Sequence, residues 1–270
     1  IVDGILDLRE NQVRIIKEKV GGGFGAKQDC SVEDLVGTIA YMTGKPIYYR
    51  FTRKEEFLFS RTRRPLEITT KIGVSKSGKI NAILLKIEAD SGAYGPHCLT
   101  VPMNACSKTL PLFTCENLRY DVTAYYTNNI VPGAYQGYGV PQANFAIHMT
   151  LLEIAEKLNI SLEELLAKNL VKKGYRLEIL KQLGEGKEGL AQKISSCGLP
   201  SALEKGLRRY NSWKIKNEEK SEIVKGKGLA VMMQGSGIPG IDAANAMIKM
   251  LNDGTFMLYI GGADLGTGED

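Results

Sequence analysis

The 270-residue sequence is poor in the side chains from which metal and nucleophile sites are usually built. It has two histidines, His97 and His148, so a zinc or iron site built from imidazoles is not expected. Its five cysteines, Cys30, Cys98, Cys106, Cys115 and Cys197, form no C-x-x-C pair and no zinc spacing. An odd count of thiols fits a reducing compartment, and all five are read as small core residues. No apolar run reaches the roughly 18 to 20 residues that cross a bilayer. No basic-then-apolar leader opens the sequence, so a cytoplasmic protein without a membrane partner is expected. Neither sign of charge dominates. The 35 basic and 30 acidic residues are interspersed and leave a net +5. The densest basic cluster, Arg61, Arg63 and Arg64, is read as a solvated face, because nucleic-acid binding takes a broader basic stripe with exposed aromatics. An initiator methionine is also lacking, and the last residues, "GGADLGTGED", stop inside a glycine-rich loop. An internal piece of a larger chain is therefore expected.

What is present is an ordinary folding composition, 43% hydrophobic and 24% charged. Residues 12–20, "QVRIIKEKV", and 45–52, "KPIYYRFT", alternate like strands. Between them "SVEDLVGTIAYMTG" reads as a helix with Ser31 as N-cap and Gly44 at its end. Two long alternating runs joined at Ser77-Gly78 predict a hairpin, and "ENLRYDVTAYYTNN" predicts another strand. "VPQANFAIHMTLLEIAEKLNISLEELLAKNLV" predicts a long amphipathic helix and then a second one capped by Ser161 with Glu164. Residues 172–189 read as a charged surface excursion, and "SALEKGLRRYNSWKIKNEEKS" as a helix running into a charged loop. "GKGLAVMMQGSG" and "ANAMIKMLNDGTFMLYIGG" return to strands, the latter with a hairpin turn at Asn252-Asp253-Gly254. The order predicts an α+β fold with mixed sheets and packed helices. Three stretches are expected: 1–170 and 224–270 as two parts of a binding region, with 171–223 as a helical and charged connection.

Three glycine-rich loops invite chemistry. "GGGFGAK" (21–27) is not a P-loop, because no hydroxyl residue follows Lys27 and the second glycine is out of place. "GSGIPG" (235–240) matches G-x-G-x-x-G formally, but Pro239 opposes the helix that a dinucleotide site needs. "PGAYQGYGVPQ" (132–142) has glycines spaced to let the main chain approach a ligand closely.

"GGGFGAK", then "GAYQGYGVPQANFAIHMTLLEIAEKL", then "GGADLGTGED", in that order, resemble the molybdopterin-binding subunit of the xanthine dehydrogenase and aldehyde oxidase family, along essentially the whole chain. The resemblance implies a molybdenum hydroxylase, an oxidoreductase that hydroxylates an N-heteroaromatic or purine-type substrate with oxygen from water. Aldehyde oxidation, or a catalytically silent piece with an assembly role, are the alternatives. The implied cofactor is molybdenum–molybdopterin, expected in its cytosine dinucleotide form. FAD and [2Fe-2S] centres are expected on partner subunits or domains, within a homo-oligomeric complex that binds no nucleic acid.

By the same resemblance, Gly22, Gly23, Phe24 and Gly25 contact the cofactor close to the metal. Tyr135, Gln136 and Gly137 form a second cofactor loop, and Gly266, Thr267 and Gly268 a third. Asn104, Tyr138, Ser236 and Gly237 fall where relatives line the substrate pocket. No side chain is expected to ligate the metal, which the pterin dithiolene holds. No catalytic residue is expected within the chain, since the family's glutamate lies beyond its C-terminal end and Glu269 has the wrong context. Gln136 departs from the family pattern by standing where many relatives carry arginine. Glu88 and Asp90 are read as surface acids.

Overall fold

The computed structural model describes residues 2–182, 189–215, 222–235, 243–262 and 264–268. It divides into two compact units, 63–234 and 1–62 with 235–270. The expected α+β class with mixed sheets is found.

The unit of residues 63–234 is built on a three-stranded sheet. Strands β1 (Leu66–Val74) and β2 (Ile80–Asp90) pair antiparallel, joined by the expected tight turn, where the Gly78 N–H donates to Ser75 O at 2.9 Å. Gly78 sits at φ +78, a conformation that glycine adopts without a Cβ penalty. β3 (Asn117–Tyr125) runs parallel to β2, from Ala82 beside Asn117 to Asp90 beside Tyr125. Parallel neighbours need a crossover, and here it carries helix α3 (Thr100–Thr109).

Helix α4 (Val140–Leu158) packs on α3 and β1. Val140, Ala143, Ile147, Leu151 and Ala155 recur at helical spacing, and all are buried. With Ile83, Leu85 and Ile87 of β2 and Leu165 and Leu166 of α5 (Leu162–Asn169), all of these but Val140 form one core. Each fully buried aliphatic side chain stabilises this core by about 1.5–3 kcal/mol. Ser161 caps α5 as expected, its Oγ accepting the Glu164 N–H at 3.1 Å. Asn169 fastens α5 to the hairpin: Oδ1 accepts from Ile80 N, and Nδ2 donates to Gly78 O, each at 2.8 Å. Short strands β4 (Arg176–Leu177) and β5 (Gln192–Lys193) pair before helix α6 (Leu199–Ser212).

The other unit holds helices α1 (Glu33–Thr43) and α2 (Arg53–Phe59) and a hairpin of β6 (Ala246–Met250) with β7 (Phe256–Ile260). The hairpin turns where expected, Gly254 N–H donating to Leu251 O at 3.0 Å. Gly44 ends α1 in the left-handed conformation, also as expected. Ser31 is not its N-cap. The cap position is Val32, and the Glu33 carboxylate turns back to accept from both Ser31 N (2.8 Å) and Val32 N (3.0 Å). The carboxylate thereby satisfies the N–H groups just before the helix, while no side chain at the cap position bonds into its first turn. The Val32 amide bond is the main reason that the Glu33 carboxyl is held below its ordinary pKa.

Three expected strands are absent. Residues 12–20, 45–52 and 226–235 are irregular and join no ladder among the described residues. Alternation marks which side chains could share a face, but a strand also needs a neighbour for its N–H and C=O groups. Val231 instead donates its N–H to the Nε2 of buried His148 at 3.1 Å. Two helices were unanticipated. α2 carries a capping box, Thr52 with Glu55, which the alternation of 45–52 obscured. α3 is rich in Thr, Asn, Ser and Cys, which are middling helix formers, and has Pro102 in its first turn.

Candidate cofactor-binding loops

The first loop folds as a tight turn in which Ala26 N donates to Gly23 O at 3.0 Å. Both central residues, Phe24 (φ +50) and Gly25 (φ +93), have positive φ, the signature of a primed turn. A positive φ is uncommon for phenylalanine. Glycine at 22 is favoured by its φ of +101, and a Cβ there would stand 2.4 Å from Phe24 Cε2, so the ring would have to swing aside. The ring is 69% exposed. Among the described residues, the N–H groups of Gly22, Gly23, Phe24 and Gly25 have no acceptor. Lys27 closes the loop from behind, its Nζ donating to Gly22 O at 2.9 Å.

The third loop belongs to the same unit and touches the first. A Cβ on Gly23 would meet Leu265 Cδ1 at 3.6 Å, and Lys17 Nζ donates to Asp264 O at 3.1 Å. Gly266, Thr267 and Gly268 all direct their N–H groups at one acceptor, Asp264 Oδ1, at 2.7, 2.8 and 3.1 Å. These main-chain donors are therefore already engaged by the loop's own carboxylate.

The middle loop lies in the unit of residues 63–234 and repeats the first turn's backbone. Tyr138 (φ +47) and Gly139 (φ +87) are the central residues of a turn closed by Val140 N donating to Gly137 O at 3.0 Å. A preceding turn, Tyr138 N to Tyr135 O at 2.7 Å, makes Gln136 and Gly137 its central residues. The N–H groups of Gln136 and Gly137 have no acceptor among the described residues. Gly139 is enforced by α3, because a Cβ there would stand 2.5 Å from Val101 O.

Tyr138 is held at several points. Its hydroxyl lies 2.8 Å from His97 Nδ1 and 2.7 Å from Thr100 Oγ1, and the His97 ring packs edge-on against it with centroids 5.7 Å apart. Asn104 Nδ2 donates to the Tyr138 carbonyl at 2.8 Å. Asn104 thus acts on the loop's main chain, and Tyr138 presents a ring whose hydroxyl is already engaged.

The arginine cluster was read as a solvated face, and the structure corrects this. Arg64 is 1% exposed; it donates to Asp90 O (2.7 Å), Ser91 Oγ (3.0 Å) and Pro96 O, pinning the segment that carries His97. Burial lowers its pKa, although a guanidinium titrates so high that it stays charged. Arg63 donates to Gln136 O (2.7 Å) and Gln142 Oε1 (3.1 Å) and lies over the Tyr135 ring, 4.9 Å from its centroid. Arg61 pairs with Asp29 at 2.9 Å. A partial signal was available: adjacent residues of an extended chain point to opposite sides, so Arg63 and Arg64 need not share one solvated face.

Asp90 is also no free surface acid. It accepts from Thr127 Oγ1 (2.6 Å), Gly92 N (2.8 Å) and Asn129 Nδ2 (2.5 Å), and the Thr127 bond leads in lowering its pKa. Glu88 is half-buried between Lys86 (3.2 Å) and the Tyr125 hydroxyl (3.2 Å). Of the cysteines, Cys106 and Cys115 are buried, and burial pushes the Cys106 thiol up to about 12. Cys98 and Cys197 are half-buried and Cys30 is exposed, so the core reading fails for Cys30. No cluster of three or more metal-ligating side chains exists among the described residues. Ser236, Gly237 and most of the 235–240 motif lie outside the described residues. Unpaired main-chain donors on positive-φ turns, one with a guanidinium beside it, suit an anionic cofactor rich in acceptors and ligated by few side chains.

Comparison with known proteins agrees. Residues 1–170 match the molybdopterin cofactor-binding domain. The chain is 43% identical, over 98% of its length, to the probable hypoxanthine oxidase XdhD of Escherichia coli O157:H7, of which it covers 28%. It is 31% identical, over its full length, to the putative xanthine dehydrogenase molybdenum-binding subunit XdhA of Escherichia coli K12, of which it covers 35%. Among solved structures, the aldehyde oxidoreductase from Desulfovibrio gigas superposes with a TM-score of 0.72 at 26% identity, over 88% of this chain and 25% of that one. The chain thus spans about a third or less of the length of these relatives. It belongs to the molybdopterin cofactor-binding family of xanthine dehydrogenases and aldehyde oxidoreductases.

Proposed function

We propose that this chain is the cofactor-binding part of a molybdenum hydroxylase subunit that oxidises a purine or other N-heteroaromatic compound with oxygen from water. The observation that carries the reading is the unpaired main-chain donors at Gly22–Gly25 and at Gln136–Gly137, in a chain of this family. Donors fixed by backbone geometry bind anionic groups without the reorganisation that mobile side chains would need. When bound, the cofactor supplies the water-derived oxygen and takes up the electron pair of the oxidation.

This chain's own residues then bind and orient. Gly22, Gly23 and Gly25 offer N–H groups next to Phe24, which excludes water there, and Gln136 and Gly137 offer theirs on the other loop. The loop of Gly266, Thr267 and Gly268 contributes by shape, since Asp264 already takes its N–H groups. Tyr138 offers its ring to a flat substrate, with the hydroxyl turned to His97 and Thr100 and the main chain steadied by Asn104. Ser236 and Gly237, which lie outside the described residues, are assigned to the substrate pocket by the resemblance alone. Glu88 and Asp90 are engaged in holding strand and loop, so neither is assigned as the general base.

The relatives named for hypoxanthine and xanthine support a purine-type substrate. The superposition on an aldehyde oxidoreductase supports an aldehyde as the second reading. The cytosine dinucleotide form of the pterin, FAD and [2Fe-2S] partners, a homo-oligomeric complex and a cytoplasmic site all belong to this proposal, as does the division into 1–170, 171–223 and 224–270. Among the described residues no helix is long and apolar enough to cross a membrane.

The test is to purify the complete complex and measure molybdenum and released cytidine nucleotide, then turnover of hypoxanthine, nicotinate and aldehydes with an artificial electron acceptor. Stoichiometric metal with turnover of heterocycles is expected. A metal-free complex would overturn the reading, and turnover of aldehydes alone would replace it with the second.

A further inference from the structure

Three side chains that hold Tyr138 come from one short segment. His97 Nδ1 and Thr100 Oγ1 lie 2.8 and 2.7 Å from its hydroxyl, and Asn104 Nδ2 donates to its carbonyl at 2.8 Å. Residues 97, 100 and 104 follow the spacing that puts side chains on one face of a helix, and Thr100 and Asn104 belong to α3 itself. His97 stands just before it, its carbonyl accepting from Val101 N at 3.3 Å. The segment is fixed in turn by buried Arg64, which donates to Pro96 O.

The contact between His97 and Tyr138 joins two unusual backbones. Among the described residues five non-glycine residues have positive φ, and two of them, His97 (+54) and Tyr138 (+47), meet through their side chains. Left-handed backbone is unfavourable for a residue with a Cβ, and glycine would adopt it freely. Position 97 nevertheless carries an imidazole, and its Nδ1 meets the hydroxyl of one aromatic. Packing does not explain the grip, because Tyr138 is half-buried and is not among the side chains packed on the apolar core. Both hydroxyl contacts lie at the rim of the ring, and the His97 and Tyr138 rings stand 83° apart with centroids separated by 5.7 Å. What the three side chains fix is the plane and position of a partly exposed ring. Strained residues held from several sides gather where orientation matters, as at ligand clamps.

We propose that His97 is a positioning residue for the substrate: through the Tyr138 hydroxyl it sets the plane of the ring on which a flat heteroaromatic compound packs. This rests on the proposed function, in which Tyr138 offers that ring, and names the side chain that orients it. Stacked rings are sensitive to offset and tilt, so a ring fixed in advance binds a planar ligand better than one that must be ordered on binding.

The test uses the purified complete complex, kept reduced so that no turnover occurs. It reads by equilibrium dialysis the Kd of whichever of hypoxanthine and nicotinate the oxidised complex turns over. His97→Gly suits the backbone and removes the imidazole; it is expected to weaken binding about fivefold, the effect of one hydrogen bond. His97→Asn tolerates the same φ and can place its amide where Nδ1 lies, so it should recover most of that loss. Tyr138→Phe keeps the ring and loses the tether, and should match His97→Gly. The double variant should bind no more weakly than either single one, because both remove the same contact. In turnover, KM for the heterocycle should rise with Kd while kcat changes less. An unchanged Kd in His97→Gly overturns the proposal. So does a full further loss when His97→Gly is added to Tyr138→Phe, the mark of a general loosening of the fold. Weakened binding in Tyr138→Phe alone also overturns it, since the phenol would then bond the substrate directly. If His97→Gly does not fold, His97→Gln, whose amide falls at the Nε2 position, takes its place and must bind more weakly than His97→Asn. A wild-type complex that turns over neither heterocycle overturns the proposed function itself, and this residue's role with it.

Discussion

Two turns in this chain share one backbone and differ in what surrounds the aromatic they carry. Gly23-Phe24-Gly25-Ala26 and Gly137-Tyr138-Gly139-Val140 each place an aromatic and then a glycine at positive φ, +50 and +93 in one, +47 and +87 in the other. Each closes with a 3.0 Å hydrogen bond from its last N–H to its first carbonyl. Phe24 leaves its ring 69% exposed, whereas Tyr138 is gripped by His97, Thr100 and Asn104. The same local geometry thus serves one aromatic that packs loosely and one that is fixed in advance. The conformation follows from the Gly-aromatic-Gly pattern, and the rigidity comes from elements far away in the sequence.

The largest expected break in this comparison is Gly139→Ala. Its Cβ would meet Val101 O, a main-chain atom that cannot move aside, at 2.5 Å and at φ +87. We expect a loss of about 3 kcal/mol in chemical denaturation, from strain in a packed site together with left-handed φ. Gly22→Ala has as short a contact, but with the far end of the Phe24 ring, which can swing away. Its cost should stay near the conformational term, about 1 kcal/mol.

The two units should also differ in their response to acid. Both histidines lie in the unit of residues 63–234, and His148 is buried, with Nδ1 bonded to Asn144 O (2.9 Å) and Nε2 accepting from Val231 N. Burial holds its pKa below the ordinary value, against the opposing Asn144 bond. The unfolded chain therefore binds a proton that the folded one resists. Stability of this unit is fully present above about pH 6.5 and falls as pH drops below it. Hydrogen exchange of α4 peptides checks this. A profile that stays flat between neutral pH and about pH 5 would contradict it, and His148→Gln should flatten the wild-type slope.

The long, strongly patterned elements were legible in the sequence. α4 and α5 announced themselves by apolar spacing and the Ser161 cap, and the hairpins by Ser77-Gly78 and Asn252-Asp253-Gly254. The strands read at 12–20 and 45–52 were not there, because alternation says nothing about whether a ladder partner exists. At the site, the glycine loops were visible as motifs, while their supports were not. Arg64 is buried only because Asp90, Ser91 and Pro96 converge on it, and His97 meets Tyr138 only through the β2–α3 connection. Such contacts are made between distant segments, and no local pattern encodes them.

Finer contrasts should separate the two aromatics themselves. Tyr138→Phe removes a hydroxyl shared between His97 and Thr100 and should cost about 1 kcal/mol, typical of a hydrogen bond in a partly buried site. Phe24→Ala should change folding stability by no more than about 0.5 kcal/mol, as for an exposed position. A large loss for Phe24→Ala would show that the first turn is as tightly held as the second.

The account's central claim is that bare main chain at these turns binds the cofactor. Amide hydrogen exchange on the complete complex, loaded with cofactor and stripped of it, tests this most directly. Loading should slow exchange at Gly22–Gly25 and at Gln136–Gly137, while Gly266–Gly268, already held by Asp264, change little. Equal exchange at the first two loops with and without cofactor would contradict the account.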